Sequence, residues 1–205
     1  MQINIDKKTG ILSTIIVVLV GVIIAMGVST SNDNGFFGMG HSSMMDSDRA
    51  NGVGDLTGAD TMFLQMMIPH HQQAVDISNL ALTKSKDSEL LALATAIRDG
   101  QADEIVQMKK WLSDAGASLD MGHSMPGAMG GMLDEQELAD LKSATGANFD
   151  RLWLAGMTGH HDGALHMVQM IEDADNQIIK KFGQDIVSLQ TAQINQMKEM
   201  LKRIG

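Results

Sequence analysis

The chain has 205 residues with no cysteine, no tyrosine, two prolines and eighteen methionines, which leaves room for one ordinary domain plus extra segments and favours helices. The lack of cysteine excludes disulfides, zinc–thiolate sites and thiol catalysis. A formal charge of −10 repels phosphate backbones, so nucleic acid is set aside as a partner and cations are favoured.

Residues 1–10, with Lys7 and Lys8, precede an uncharged apolar run at residues 11–28, close to the length a bilayer-spanning helix needs. No Lys or Arg follows until Arg49, so the positive-inside rule keeps the N-terminus cytoplasmic and exports the rest. The reading is a single-pass membrane anchor with the C-terminal domain in the periplasm or at the cell surface. The alternative is a cleaved signal peptide, with Ala25-Met26-Gly27 as a small-x-small site and a secreted product. Residues 29–56, rich in Ser, Asn, Asp and Gly, read as a flexible tether. It carries Met39, His41, Met44 and Met45, residues a tether does not need and a soft metal would use.

Residues 57–205 are an internal duplication. At a shift of 90, Asp60, Leu64, Met67, His70, His71 and Ala74 recur as Asp150, Leu154, Met157, His160, His161 and Ala164. At a shift of 89, Ile97, Gln101, Ile105, Met108 and Leu112 recur as Ile186, Gln190, Ile194, Met197 and Leu201. The first helix is predicted from the Thr57-x-x-Asp60 capping signal to about Leu82, with Phe63, Met67, His70, Ala74, Ile77 and Ala81 on one buried stripe. A second stripe beside it, Leu64, Ile68, His71, Val75 and Leu82, places His71 at the flank of the buried face. Pro69, and Thr158-Gly159 in the second copy, weaken the helix just before the histidines.

A second helix is predicted from about Ser88 to Ala115, closed by Gly116. Polar residues interrupt its core stripe at Gln101 and Glu104, and the second copy repeats this at Gln190 and Gln193. Either these meet the histidine layer of the neighbouring helix or they reach solvent at a bundle edge. Residues 121–132 hold Met121, His123, Met125, Met129 and Met132 among Gly and Pro, with neither helical nor strand period, so core filling does not account for these methionines. A short capped helix, Asp134 to Ser143, follows, then helices from about Asn148 to Asp173 and from about Asn176 to Ile204. Two hairpins, each too thin to bury its own stripe, are expected to pack as a four-helix bundle with pseudo-twofold symmetry.

Met67 stands three and four residues before His70 and His71, within helical reach of both, and Met157 stands so before His160 and His161, with His166 nearby. Imidazole and thioether without thiolate match Cu(I), while imidazole alone also serves Cu(II) or zinc. The pattern Phe63-x-x-x-Met67-Ile68-x-His70-His71 with Ala74, then Gln101-x-x-Glu104-Ile105-x-x-Met108-x-x-Trp111-Leu112, resembles the domain of unknown function 305 family over about residues 57–204. Gln193 and Thr158-Gly159 depart from that pattern in the second copy. The resemblance implies a ferritin-like four-helix bundle, often exported, with CopM-type members that bind copper and support copper resistance. It implies Met67, His70, His71, Met157, His160 and His161 as ligands and the Met-rich segments as auxiliary sites.

The leading expectation is therefore an exported copper-binding protein that sequesters copper or transfers it to a copper-handling partner, and not an enzyme. A non-metal interaction or sensory module with structural histidines is the second reading. A ferritin-like di-metal oxidase is the third, disfavoured because the chain contains no Glu-x-x-His.

Overall fold

The structure, a computed structural model, describes residues 53–122 and 129–204. Its regular elements are all helical: α1 (Gly58–Lys84), α2 (Ser88–Asp114), α3 (Glu135–Ser143), α4 (Gly146–Val168), one 3-10 turn (Gln169–Ile171) and α5 (Gln177–Ile204). The apolar run at 11–28, the tether to residue 52 with Met39, His41, Met44 and Met45, and the loop residues His123 and Met125 lie outside the described residues. Among those described, no helix is long and apolar enough to cross a membrane.

Local chemistry sets the boundaries. Thr57 Oγ1 accepts the Asp60 amide at 3.1 Å and the Asp60 carboxylate accepts the Thr57 amide at 2.9 Å, a reciprocal cap that starts α1. Asp134 and Glu137 start α3 in the same way. Gly116, at φ +67, turns the chain out of α2 in a conformation that other residues rarely adopt. The helix α1 runs through Pro69 unbroken, because proline removes one backbone donor while packing along the whole helix supplies the stability.

The hairpins α1–α2 and α4–α5 meet chiefly through their histidine helices, α1 and α4. Trp153 Nε1–H donates to the Ile77 carbonyl at 3.0 Å, tying the first half of α4 to the second half of α1. One apolar cluster gathers Ala74, Ile77, Leu90, Ile97, Phe149, Trp153, Met157 and Met197 at that end. A second gathers Phe63, Leu64, Met67, Met108, Leu112, Ala164, Met167 and Ile186 at the other. The two histidine pairs fall between them, so a polar layer divides the hydrophobic core.

Three expectations are corrected. The end of the tether is held: Val53 is buried and its carbonyl accepts Asn176 Nδ2–H at 2.6 Å. The second histidine helix stops at Val168, where Ile171 turns into the core through a 3-10 turn and Asn176 caps α5 by accepting the Ile178 and Ile179 amides. Core packing also accounts for two loop methionines after all, since Met121 and Met129 lie against the second apolar cluster.

Candidate metal centre

His70, His71, His160 and His161 are all fully buried. The stripe position of His70 and His160 dictates this. For His71 and His161 it corrects the expectation of a flanking position, because α2 and α5 lie over that flank. His71 Nε2 lies 2.7 Å from Glu104 Oε2, and His161 Nε2 lies 2.7 Å from Gln193 Oε1. The interrupting polar residues of the second helices thus meet the histidine layer. Glu104 keeps its side chain 21% exposed, whereas Gln193 is buried.

The inner rings pair with each other. The His70 and His160 centroids stand 3.8 Å apart, with planes inclined by 36°. His160 Nε2–H donates to the His70 carbonyl at 3.0 Å, and His70 Nε2–H donates to the Gly130 carbonyl at 3.2 Å. Carbonyl and carboxylate oxygens only accept, so each neutral ring keeps its proton on Nε2. The four Nδ1 atoms are left buried without a hydrogen-bond partner among the described residues. Burial, reinforced by neighbouring imidazoles, pushes the pKa of His70 down to about 3 and that of His160 well below its usual range. Burial likewise lowers His161 to about 4, partly opposed by the Gln193 hydrogen bond. These three rings are neutral at physiological pH, the state in which imidazole binds metals.

The donor set suits a soft ion of low coordination number. Among the described residues no three His, Asp or Glu side chains converge to hold one ion. An ion here would depend on pairs of Nδ1 atoms or on Nδ1 with thioether sulfur, and Met67 and Met157 are fully buried one turn before the histidines. The other predicted ligands are dispersed. His166 is exposed and bonds through Nδ1 to the Asp162 carbonyl at 2.8 Å, away from the layer. Met121, Met129 and Met132 are partly buried on the link between the hairpins.

Sequence reasoning missed the residues that bring this link to the histidines. Gln73 Nε2–H donates to the Leu133 carbonyl at 2.9 Å, and Gln73 Oε1 accepts the Leu133 amide at 2.8 Å. Gly131, at φ +79, lies against the Gly159 backbone, and Gly130 lies against Gly163 so closely that a Cβ on Gly163 would strike the Gly130 carbonyl. The glycine pairs Gly130-Gly131 and Gly159…Gly163 were the available signal, since glycine marks close backbone approach.

The sequence pattern of a family described as a domain of unknown function (DUF305) matches residues 60–201. A DUF305 protein from Streptomyces coelicolor, described as a candidate secreted protein, has a solved structure 29% identical to this chain. Its TM-score is 0.68, over 72% of this chain and 92% of its own. A DUF305 fragment from Deinococcus radiodurans is 30% identical with a TM-score of 0.68, over 73% and 99%. CopM in its Cu(I)-bound form is 31% identical with a TM-score of 0.59, over 70% and 96%. Its Cu(II)-bound and Ag-bound forms are similar to this chain as well. No curated protein matches.

Proposed function

The chain belongs to the DUF305 family, and from that footing we propose that it is a copper-binding protein working outside the cytoplasm. It sequesters copper or transfers it to a copper-handling partner, holds it through His and Met ligands, and catalyses nothing. The observation that carries this reading is the set of four buried imidazoles with unpartnered Nδ1 atoms, flanked by buried Met67 and Met157. Neutral imidazole and thioether are the ligands Cu(I) prefers, and imidazole also accommodates Cu(II). The similarity to CopM, solved with Cu(I), Cu(II) and Ag, supports the same class of cargo. Residues 11–28 would anchor the domain to the membrane, with Met39, His41, Met44, Met45, His123 and Met125 as auxiliary ligands.

The test is a titration of the full chain with Cu(I) against a competing chelator. Binding should be measurable, and it should collapse when His70, His71, His160 and His161 are replaced together with the loop methionines. Unmeasurable binding, or binding that survives those replacements, removes the copper reading. The second reading, a helical interaction module with structural histidines, is favoured by one observation: every buried ring already has an acceptor on Nε2.

A further inference from the structure

On the link between the hairpins, the stretch Met129–Leu133 just before α3 lies across both histidine helices. Gln73 holds it by two hydrogen bonds to the Leu133 backbone, at 2.9 and 2.8 Å. Gly131 and Gly163 allow backbone-to-backbone contact with α4 that any Cβ would prevent. The Gly130 carbonyl accepts the His70 Nε2 proton at 3.2 Å. Gly130 and Gly131 are themselves exposed while His70 is fully buried, so a single thickness of backbone separates that ring from solvent. Beside the stretch, a groove of about 350 Å³ is lined in part by Gly131, Leu133, Leu152, Gly156 and Gly159, which leaves room for it to shift.

We propose that Met129–Leu133 is a strap that governs access to the His70–His160 pair, and that Gln73, Gly131 and Gly163 are positioning residues that hold it shut. Shut, the strap fixes the His70 proton on Nε2, because the Gly130 carbonyl can only accept, and the lone pair is confined to the buried Nδ1. Lifted, it opens a path to the inner rings and frees His70 Nε2 at the same moment. Opening is local, since the five-residue strap is fastened by a few hydrogen bonds and glycine contacts and by the packing of two side chains, Leu133 in one apolar cluster and Met129 against the other. Met129 and Met132 lie on the same stretch, so a soft ion taken by their sulfurs would act on the strap directly; that last step rests on the copper reading, and the gating does not.

The test uses the metal-free full chain, its Gln73→Ala variant and its Gly163→Ala variant. Diethyl pyrocarbonate labelling of each histidine is followed by mass spectrometry, with exposed His166 as the internal reference, and the ring nitrogens of His70 are followed by ¹⁵N NMR. Removing two hydrogen bonds should raise the labelling rate of His70 about tenfold in Gln73→Ala. The rate should rise further in Gly163→Ala, while that of His161 stays unchanged. The His70 nitrogens should move from a pure Nε2–H pattern toward a tautomer mixture. Wild-type labelling of His70 in Gln73→Ala overturns the proposal, as does an equal rise at all four buried rings, which would report general loosening. If Gly163→Ala does not fold, Gln73→Ala decides alone. No metal enters this assay, so its failure leaves copper binding standing, and a failed copper titration leaves the strap standing.

Discussion

At the scale of single residues, the buried histidines set the acid limit of the fold. The folded pKa values of His70, His160 and His161 lie below the unfolded value near 6.5. Below pH 6.5 the unfolded chain therefore binds protons that the folded chain refuses. Stability is complete above that pH and is lost as pH falls toward 4, by about 1.4 kcal/mol per pH unit for each ring. Denaturant unfolding measured from pH 7 to pH 4 should show this slope, and His161→Gln should remove about one ring's share of it. A slope unchanged in His161→Gln would mean that this ring does not stay neutral in the fold. The duplication supplies a second residue-scale test, because Glu104 and Gln193 do the same work with different charge. Glu104→Gln copies the second hairpin and should cost little. Glu104→Ala strands the buried His71 Nε2 proton and should cost about 1–3 kcal/mol in denaturant unfolding. Equal costs for the two variants would rule out the hydrogen bond as the reason for the carboxylate.

At the scale of elements, the caps were legible and the contacts between elements were not. Thr57 with Asp60, Asp134 with Glu137, and Gly116 each act within a few residues of themselves, so the sequence alone located the starts of α1 and α3 and the end of α2. The stripe through Phe63, His70 and Ile77 was legible for the same reason: helical period is a local property. The burial of His71 was not, since it depends on α2 covering a position that the period of α1 puts at an edge. Nor was the end of α4, where the 3-10 turn follows from docking Ile171 into the core and Asn176 onto Val53. Trp153 is the plainest case of a long-range contact that periodicity cannot show. Its stripe position predicts burial, but its bond to the Ile77 carbonyl joins residues 76 apart and fixes how α4 lies on α1. Trp153→Phe keeps most of the apolar area and loses that bond, so it should destabilise the bundle by about 1 kcal/mol. Its thermal midpoint should fall, and fluorescence from partly buried Trp111 reports the unfolding.

At the scale of the whole molecule, the duplication is scaffold symmetry that the single link between the hairpins breaks. The link occurs once, so only His70 receives the Gly130 carbonyl, while His160 turns to the His70 carbonyl instead. This asymmetry separates two places where a soft ion could be held, and they differ in their coupling to folding. Methionines within the 121–132 stretch remain neighbours when the chain unfolds, so an ion held by them alone binds folded and unfolded chains comparably and leaves stability nearly unchanged. The histidine layer joins residues about 90 positions apart and exists only in the folded state. An ion held there must stabilise the fold, by about 2.7 kcal/mol at a concentration one hundred times its dissociation constant. Silver, which avoids the redox chemistry of copper, is the convenient probe. Thermal unfolding of the full chain with saturating Ag(I) should shift upward, and the shift should persist when Met121, Met125, Met129 and Met132 are replaced by serine. Binding of Ag(I) to the unmutated chain with no upward shift would place the ion on the loop and return the four histidines to a structural role.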